Sequence, residues 1–214
     1  METAAGALSS PTGPPLVIGV SLTLYAGWLA PRLADFAAAH PEVSLKIHSL
    51  IGRETPPRDA ALWISFGQPP PATNSIPLFG ERLVPVAHPD IAASITSRDE
   101  MLQHQLIEVS DHRKNWAQVL DVDMLASHAK VTHVDTTFAA LSLARSGFGL
   151  ALARPPASDG LVETLGLVPC ILELEIPGVE QYHLLNSANA HLNDDAVAFK
   201  SWIIDQAGRA VRKT

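Results

Sequence analysis

Cysteine is almost missing from this sequence of 214 residues, in which Cys170 is the only one. A single thiol excludes an internal disulfide and a zinc site built on cysteines, and it favours a reducing compartment. Long apolar runs are missing as well, because none approaches the roughly 20 residues that a membrane-spanning helix needs. We therefore expect a cytoplasmic protein with no membrane segment.

Positive charge is also scarce. Fifteen Lys and Arg residues face 22 Asp and Glu residues, so the formal net charge is −7 and the pI is about 5.6. Such a chain has no overall basic field for a nucleic-acid backbone, so by itself it is a poor candidate for DNA binding. Apolar residues make up 47% and charged residues 17%. This balance is typical of a globular protein with a sizeable core.

The signatures of enzymes and metal sites are absent from the sequence. The segment "IGVSL" lacks the glycines of a nucleophile elbow, and there is no Gly-x-Gly-x-x-Gly or Walker loop. The nine histidines form no compact His-x-x-x-His or His-Glu pattern, and Cys170 lies in an apolar run without a local activating base. We therefore predict no catalytic residue, no metal and no cofactor.

Strands and helices alternate along the chain, which predicts an α/β architecture with mostly parallel pairing. Pro31 falls inside the first helix, where it removes a backbone hydrogen bond and should bend or weaken one turn. The predicted strands are 16–20, 43–47, 60–65, 78–87, 106–109, 131–134, 148–153, 171–176 and 182–185. The predicted helices are 28–40, 116–120, 136–146 and the segment around 196–203.

Two strand-to-helix junctions carry hydroxyl groups. Ser21 and Thr23 follow the first strand, and Asp135, Thr136 and Thr137 follow the strand at 131–134. In open α/β sheets ligands bind at such junctions, because free N–H groups and the helix dipole point out of the sheet edge. The alternative is that each set of side chains only caps its own helix. Spacing alone leaves both interpretations open.

The order of several segments resembles the effector-binding domain of LysR-type transcriptional regulators, in the branch of the glycine-cleavage and β-lactamase regulators. No single segment is specific, but their order and spacing together are, over residues 15–207. The segments are "LVIGVSLTLYAGWLAPRLADFAAAHPEVSLKI", "ALWISFG", "LFGERLVPVAHPDI", "LIEVSDHRKNWAQVL", "HVDTTFAALSLARSGFGLALA" and "YHLLNSANAHLNDDAVAFKSWI".

The resemblance implies a periplasmic-binding-protein-like fold of type 2, in which two α/β lobes are joined by two crossover strands. Lobe I would comprise residues 15–86 and 185–214, and lobe II residues 87–184. Residues 1–14 are small and polar, without the basic and apolar regions of a secretory signal, and are expected to be a linker remnant.

The resemblance also implies an effector in the cleft between the lobes, commonly a small organic acid or an amino-acid-like molecule. Carried over position by position, it nominates nine ligand-binding residues. These are Ser21, Leu22, Thr23, Ser65, Phe66, Gly67, His133, Asp135 and Thr136.

Family members dimerise through this domain, so the resemblance implies a homodimer, with a tetramer as a further option for a full-length protein. DNA binding belongs to an N-terminal helix-turn-helix that this sequence does not contain, so a fragment with the sensor alone is expected. Two alternatives stay open. A solute-binding protein of a transport system would show an export signal or a lipobox cysteine, and a small enzyme would show a cluster of catalytic groups in the cleft.

One segment departs from the family. Between the second and third strands relatives carry a short helix, whereas "GRETPPRD" at 52–59 is shorter and broken by Pro56 and Pro57. One wall of the cleft is therefore expected to differ, and the effector of a relative cannot be transferred to this chain.

Overall fold

The structure of the protein is a computed structural model. It describes residues 13–51, 54–110, 112–113, 115–128, 130–189 and 191–212, so residues 1–12 of the predicted linker lie outside the described part. The strands are β1 (Leu16–Ser21), β2 (Leu45–Leu50), β3 (Leu62–Phe66), β4 (Thr73–Ala87), β5 (Gln105–Val109), β6 (Lys130–Val134), β7 (Leu150–Ala153), β8 (Val168–Pro169) and β9 (Ile176–Ser187).

The helices lie between these strands, as the alternating pattern predicts. The first, α1, is a composite of residues 22–39. The others are α2 (Pro89–Ala92), α3 (Arg98–Met101), α4 (Val122–His128), α5 (Thr137–Arg145), α6 (Asp159–Thr164) and α7 (Asp194–Arg212), with a short 3₁₀ turn at Trp116–Gln118. The last helix begins where Asn193 Oδ1 accepts a hydrogen bond from the N–H of Ala196, at 3.0 Å.

A nine-stranded sheet runs through the molecule in the order β2-β1-β3-β9-β4-β7-β5-β6, with β8 paired to β4. β1 pairs in parallel with β2 and β3, and β5 pairs in parallel with β6 and β7. The long strands β4 and β9 pair antiparallel with each other in the middle and join the two parallel groups. Mostly parallel pairing was therefore wrong, because both central strands run against their neighbours.

Each parallel group has its own core. Around β1 and β3, the buried side chains of Trp28, Leu29, Phe36 and Phe199 form one cluster with the apolar face of α7. Around β5 and β7 there are two further clusters. One contains Trp116 and Leu106, and the other contains the buried side chains of α5, two of which are alanines. Two separately packed halves agree with two lobes, and boundaries at 86/87 and 184/185 stay a prediction.

The helix α1 changes its winding where Pro31 lies. It starts as an α-turn at Leu22–Leu24, widens to a π-turn at Tyr25–Leu29, tightens to a 3₁₀ turn at Ala30–Arg32, and ends as α-helix Leu33–Ala39. Arg32 repairs part of the interrupted ladder, since its Nη1 donates to the Trp28 carbonyl at 2.6 Å. The predicted weak turn is thus confirmed as a local change of helix type.

The π-turn packs closely against the start of α6 and the residues that precede it. A Cβ on Gly160 of α6 would lie 2.6 Å from the carbonyl oxygen of Gly27, and a Cβ on Gly27 would overlap the Ala157 carbonyl. Ala157 is itself buried in the core cluster of Trp28. Only glycines permit this backbone-to-backbone contact.

Two predicted elements have another conformation. The apolar run 171–176 is a turn up to Glu175, because Glu173 adopts φ +66° and reverses the chain before β9 begins at Ile176. The predicted helix at 116–120 is a single 3₁₀ turn that Asn115 caps. Its Trp116 is buried and donates from Nε1 to the Ile107 carbonyl at 2.9 Å.

Candidate functional site

A cavity of about 360 Å³ lies at the carboxyl ends of the parallel strands, between the two halves of the sheet. Its lining comes from residues that end or follow β1, β2, β3, β5 and β6, and from the middle of β9. The lining residues are Ser21, Leu22, Thr23, Leu50, Glu54, Thr55, Pro56, Trp63, Ile64, Ser65, Phe66, Gly67, Gln68, Pro70, His112, Arg113, Asp135, Thr136, Thr137, Glu180 and Tyr182. A cavity of this size and position suits a small ligand.

At the first junction, the hydroxyl of Ser21 does not cap α1. Ser21 precedes the helix in extended conformation, yet its side chain makes no capping hydrogen bond. Thr23 is buried and lines the cavity. The capping interpretation is therefore wrong for Ser21.

At the second junction the capping interpretation is confirmed. Thr136 is extended and its Oγ1 accepts from the N–H of Ala139 at 3.1 Å, while Gly147 takes the left-handed conformation after the helix with φ +78°. Thr136 also lines the cavity, between Asp135 and Thr137. One side chain thus caps the helix and faces the cavity.

The end of β3 forms the wall between these junctions. Ser65 and Phe66 line the cavity, and Gly67 turns the chain with φ +88° while its N–H donates to the Gln181 carbonyl at 2.9 Å. The Phe66 ring stacks at 4.8 Å on Tyr182 and at 5.5 Å on His112. These ring contacts bring together β3 of the first half, the long strand β9 and the end of β5 in the second half, all at the cavity.

The structure places eight of the nine predicted site residues on the cavity and leaves His133 outside it. His133 lies on β6 with a well-exposed side chain, and its Nδ1 is 3.8 Å from Glu108 Oε1 on the neighbouring strand. His133 lies one residue inside the end of β6, whereas Asp135 follows the strand and lines the cavity. A ligand contact of His133 stays a prediction.

Sequence reasoning missed the contribution of β9. Glu180 and Tyr182 lie two residues apart on this strand and both face the cavity. The Ser21 Oγ is buried without a hydrogen bond of ordinary geometry to the described residues, although it lies close enough to Tyr182 to lower the pKa of that phenol. Burial, the larger effect, and the Glu81 carboxylate raise the pKa of Tyr182 above its usual value.

His112, just after β5, was also missed. Burial, with a smaller effect of the Arg154 guanidinium, lowers the pKa of its imidazole from 6.5 to about 3. The ring is therefore neutral near pH 7. Its Nδ1 is buried and has no hydrogen-bond partner among the described residues.

A buried ion pair lies close to His112. Arg154 Nη1 donates to Glu81 Oε2 at 2.6 Å, and both side chains are almost fully buried. Glu81 belongs to β4, and Arg154 follows β7. Burial raises the pKa of Glu81, while Arg154 acts in the opposite direction and holds the carboxyl toward its ionised form.

The segment that departs from the family lies at the mouth of the cavity. Glu54, Thr55 and Pro56 line it, and residues 54–59 contain no helix. Glu54 folds back so that its Oε2 accepts from the N–H of Ile51 at 3.0 Å. Residues 52 and 53 lie outside the described part. This wall of the cavity is therefore built by residues 54–56 without a helix, and its difference from the family stays a prediction.

Within the described residues, no group of three or more His, Cys, Asp or Glu side chains is placed to hold a metal ion. In the same part of the chain, no helix has the length and apolar character to cross a membrane.

Comparison with curated proteins finds regulators of transcription. HTH-type transcriptional activator AmpR of Pseudomonas aeruginosa is 29% identical over 208 residues, covering 92% of this chain and 67% of that protein. HTH-type transcriptional regulator PerR of Escherichia coli is 26% identical over 84% of this chain and 62% of its own length. A glycine cleavage system transcriptional activator homolog of Haemophilus influenzae is 25% identical over 92% and 67%. The chain spans about two thirds or less of these relatives.

Solved structures of effector domains have the same fold. The effector domain of AmpR from Pseudomonas aeruginosa superposes with a TM-score of 0.81 at 25% identity, over 94% of this chain and 98% of that one. The AmpR effector binding domain of Citrobacter freundii gives 0.77 at 21% identity, over 92% and 100%. The fold is thus periplasmic-binding-protein-like, type 2, with two α/β lobes joined by two crossover strands. A family model described as "LysR substrate binding domain" matches residues 9–208, and the chain belongs to that family of LysR-type transcriptional regulators.

Proposed function

We propose that this chain is the effector-sensing domain of a LysR-type transcriptional regulator, which binds a small organic acid or amino-acid-like molecule between its halves. The observation that carries the proposal is the cavity of about 360 Å³, lined from both halves and from the crossover strand β9. A ligand there touches elements that move relative to each other when the lobes rotate, so its binding free energy depends on their arrangement.

Uncharged donors dominate the walls of this cavity. Hydroxyl groups of Ser21, Thr23, Thr136 and Thr137 lie at two helix N-termini, where free N–H groups and the helix dipole favour a ligand carboxylate. This arrangement supports a ligand with an acidic end. It supports binding and orientation rather than catalysis.

Transmission then follows from population shift. The effector favours the lobe arrangement that it contacts better, and a homodimer of these domains converts that arrangement into the spacing of DNA-binding heads in a longer, cytoplasmic protein. The exposed part of α1 is a candidate for the dimer contact. Leu29 and Phe36 lie in the core, so that contact falls to Ala34, Ala37 and Ala38 on the outer face.

A thermal-shift screen of small carboxylates and amino acids tests the binding proposal. A compound that binds only the folded state raises the unfolding midpoint, and the Ser21→Ala/Thr23→Ala double variant should reduce that increase. Ser201→Ala, an exposed change on α7, is the matched control. Equal shifts for wild type and the double variant would remove these hydroxyls from the site.

Sedimentation measures the dimer separately. We expect a concentration-dependent dimer, and Ala38→Arg should shift the equilibrium toward monomer by placing charge on the outer face of α1. A monomer at high concentration contradicts the dimer without affecting the ligand proposal.

A further inference from the structure

We infer that the effector carries a protonated amine, which binds the Glu180 carboxylate. This carboxylate lies in the part of the cavity that Glu180 and Tyr182 of β9 form, here called the floor. The inference rests on the proposed function and narrows its ligand class. A purely anionic organic acid does not satisfy this site. Three observations support the inference: the state of Glu180, the charges around the cavity, and the aromatic side chains beside it.

Glu180 lies on β9 with one carboxylate oxygen buried and unpaired. Its Oε2 has no hydrogen-bond partner among the described residues. The carboxylate packs against the turn after β3, where a Cβ on Gly67 would lie 3.1 Å from Oε1. A buried carboxylate oxygen without a hydrogen-bond partner favours a cationic or N–H donor.

The Arg154 guanidinium, a cation close to Glu180, already has a carboxylate partner. Arg154 pairs with Glu81 at 2.6 Å behind the floor, and Glu180 adds a second negative charge that helps to raise the pKa of Glu81. His112 supplies no positive charge near pH 7, because its pKa is lowered to about 3. The floor therefore carries an acidic group that the described protein residues do not neutralise.

The other described lining residues add negative rather than positive charge. They include the carboxylates of Glu54 and Asp135 and the guanidinium of Arg113. These three groups are exposed at the mouth, where water and salt screen them. Among the described charged residues of the lining, Glu180 is the one with a buried and unpaired oxygen, so its interaction with a ligand is screened least.

Aromatic side chains complete the site for a cation. Trp63, Phe66 and Tyr182 all line the cavity, and Phe66 lies 4.8 Å from Tyr182 between ring centroids. The faces of such rings attract ammonium groups, and more so when the site is dry. A carboxylate beside aromatic faces suits an ammonium, while the helix N-termini at Ser21 and Thr136 suit the acidic end of the same molecule. The cavity as a whole therefore fits a zwitterion.

The test compares ligand pairs that differ only in the amine. Alanine and propionate, glutamate and glutarate, and the other amino acids with their des-amino acids are titrated into wild type, Glu180→Gln and Glu163→Gln. We expect at least one amine-bearing member to bind wild type about tenfold or more tightly than its partner, and Glu180→Gln to lose that preference. Glu163→Gln removes an exposed carboxylate of α6 outside the cavity lining and should retain it.

Several results overturn the inference. Des-amino acids that bind as well as their amines, an unchanged preference in Glu180→Gln, or no binding by any amine-bearing compound each rule it out. If a des-amino acid binds and Ser21→Ala/Thr23→Ala weakens it, the effector-binding function stands without the amine. If neither Glu180→Gln nor Ser21→Ala/Thr23→Ala changes the affinity for the compounds that bind, the proposed function fails as well.

The unliganded protein provides a second readout. An uncompensated carboxylate destabilises the fold, so Glu180→Gln should unfold at the same or a higher temperature than wild type. A lower midpoint would show that the carboxylate has a stabilising partner in the protein, which contradicts the inference independently of any ligand.

Discussion

Protonation of His112 should weaken the fold at mildly acid pH. Burial and the Arg154 guanidinium lower the pKa of this imidazole from 6.5 to about 3, so the folded protein holds the ring neutral. In the unfolded chain the ring is solvated and titrates near 6.5. At a pH between these two pKa values, the imidazole binds a proton in the unfolded state but not in the folded state. Stability is therefore lost as the pH falls below about 6.5.

The magnitude follows from linkage. Each pH unit inside this window changes the free energy of unfolding by about 1.4 kcal/mol for one such group. Between about pH 6.5 and pH 5, His112 alone should remove about 2 kcal/mol, a large part of the marginal stability of a protein domain.

Replacing the group isolates its contribution from that of other titrating residues. We expect His112→Gln to show a shallower loss of stability between about pH 7 and pH 5 than wild type, measured by urea unfolding at each pH. The difference between the two proteins should grow by about 2 kcal/mol over the window. His191→Gln, a change at an exposed histidine, is the matched control and should follow wild type.

Parallel curves for wild type and His112→Gln would refute the reasoning. They would mean that the imidazole accepts a proton in the folded state at an ordinary pH, and hence that the cavity edge is wetter than the structure shows. The same curves would also remove the neutral His112 from the charge argument for an amine-binding floor.

Three further predictions concern the Glu81–Arg154 ion pair, the contact between Gly27 and Ala157, and the cavity wall. Arg154→Met leaves the Glu81 carboxylate buried without the partner that lies at 2.6 Å, so it should lower the free energy of unfolding by about 3–5 kcal/mol. Urea unfolding measures this change, and an unchanged free energy would mean that Glu81 is solvated. Gly27→Ala meets the Ala157 carbonyl and should cost about 1–3 kcal/mol in the same assay; no loss would show a loose contact. Thr23→Ala should weaken effector binding by about 0.5–1.5 kcal/mol in calorimetry, and unchanged affinity excludes its hydroxyl.

The sequence predicts the parts of this fold in which local pattern and burial agree. The strand at 131–134 and the Thr136 cap follow from alternation and from the chemistry of helix ends. The position of the cavity follows from the rule that parallel strands open at their carboxyl ends. These features depend on residues that are close in the sequence.

The missed features depend on partners that are distant in the sequence. Glu180 and Tyr182 look like ordinary alternating residues of a strand, and only the pairing of β9 with β3 places them under Phe66. The Glu81–Arg154 pair spans 73 positions. The run 171–176 is apolar because Leu174 packs into the core near Trp116, not because it forms a strand. Periodicity does not distinguish these cases.

The wall of the cavity also contains an optical probe. Of the four tryptophans, Trp28 and Trp116 are fully enclosed in two cores, and Trp202 packs against Phe36 and Phe199. Only Trp63 among them lines the cavity. A bound molecule changes the polarity around this indole and leaves the other three as a constant background. The intrinsic fluorescence of the unlabelled protein thus reports occupancy directly, and Trp63→Phe is the blank for that measurement.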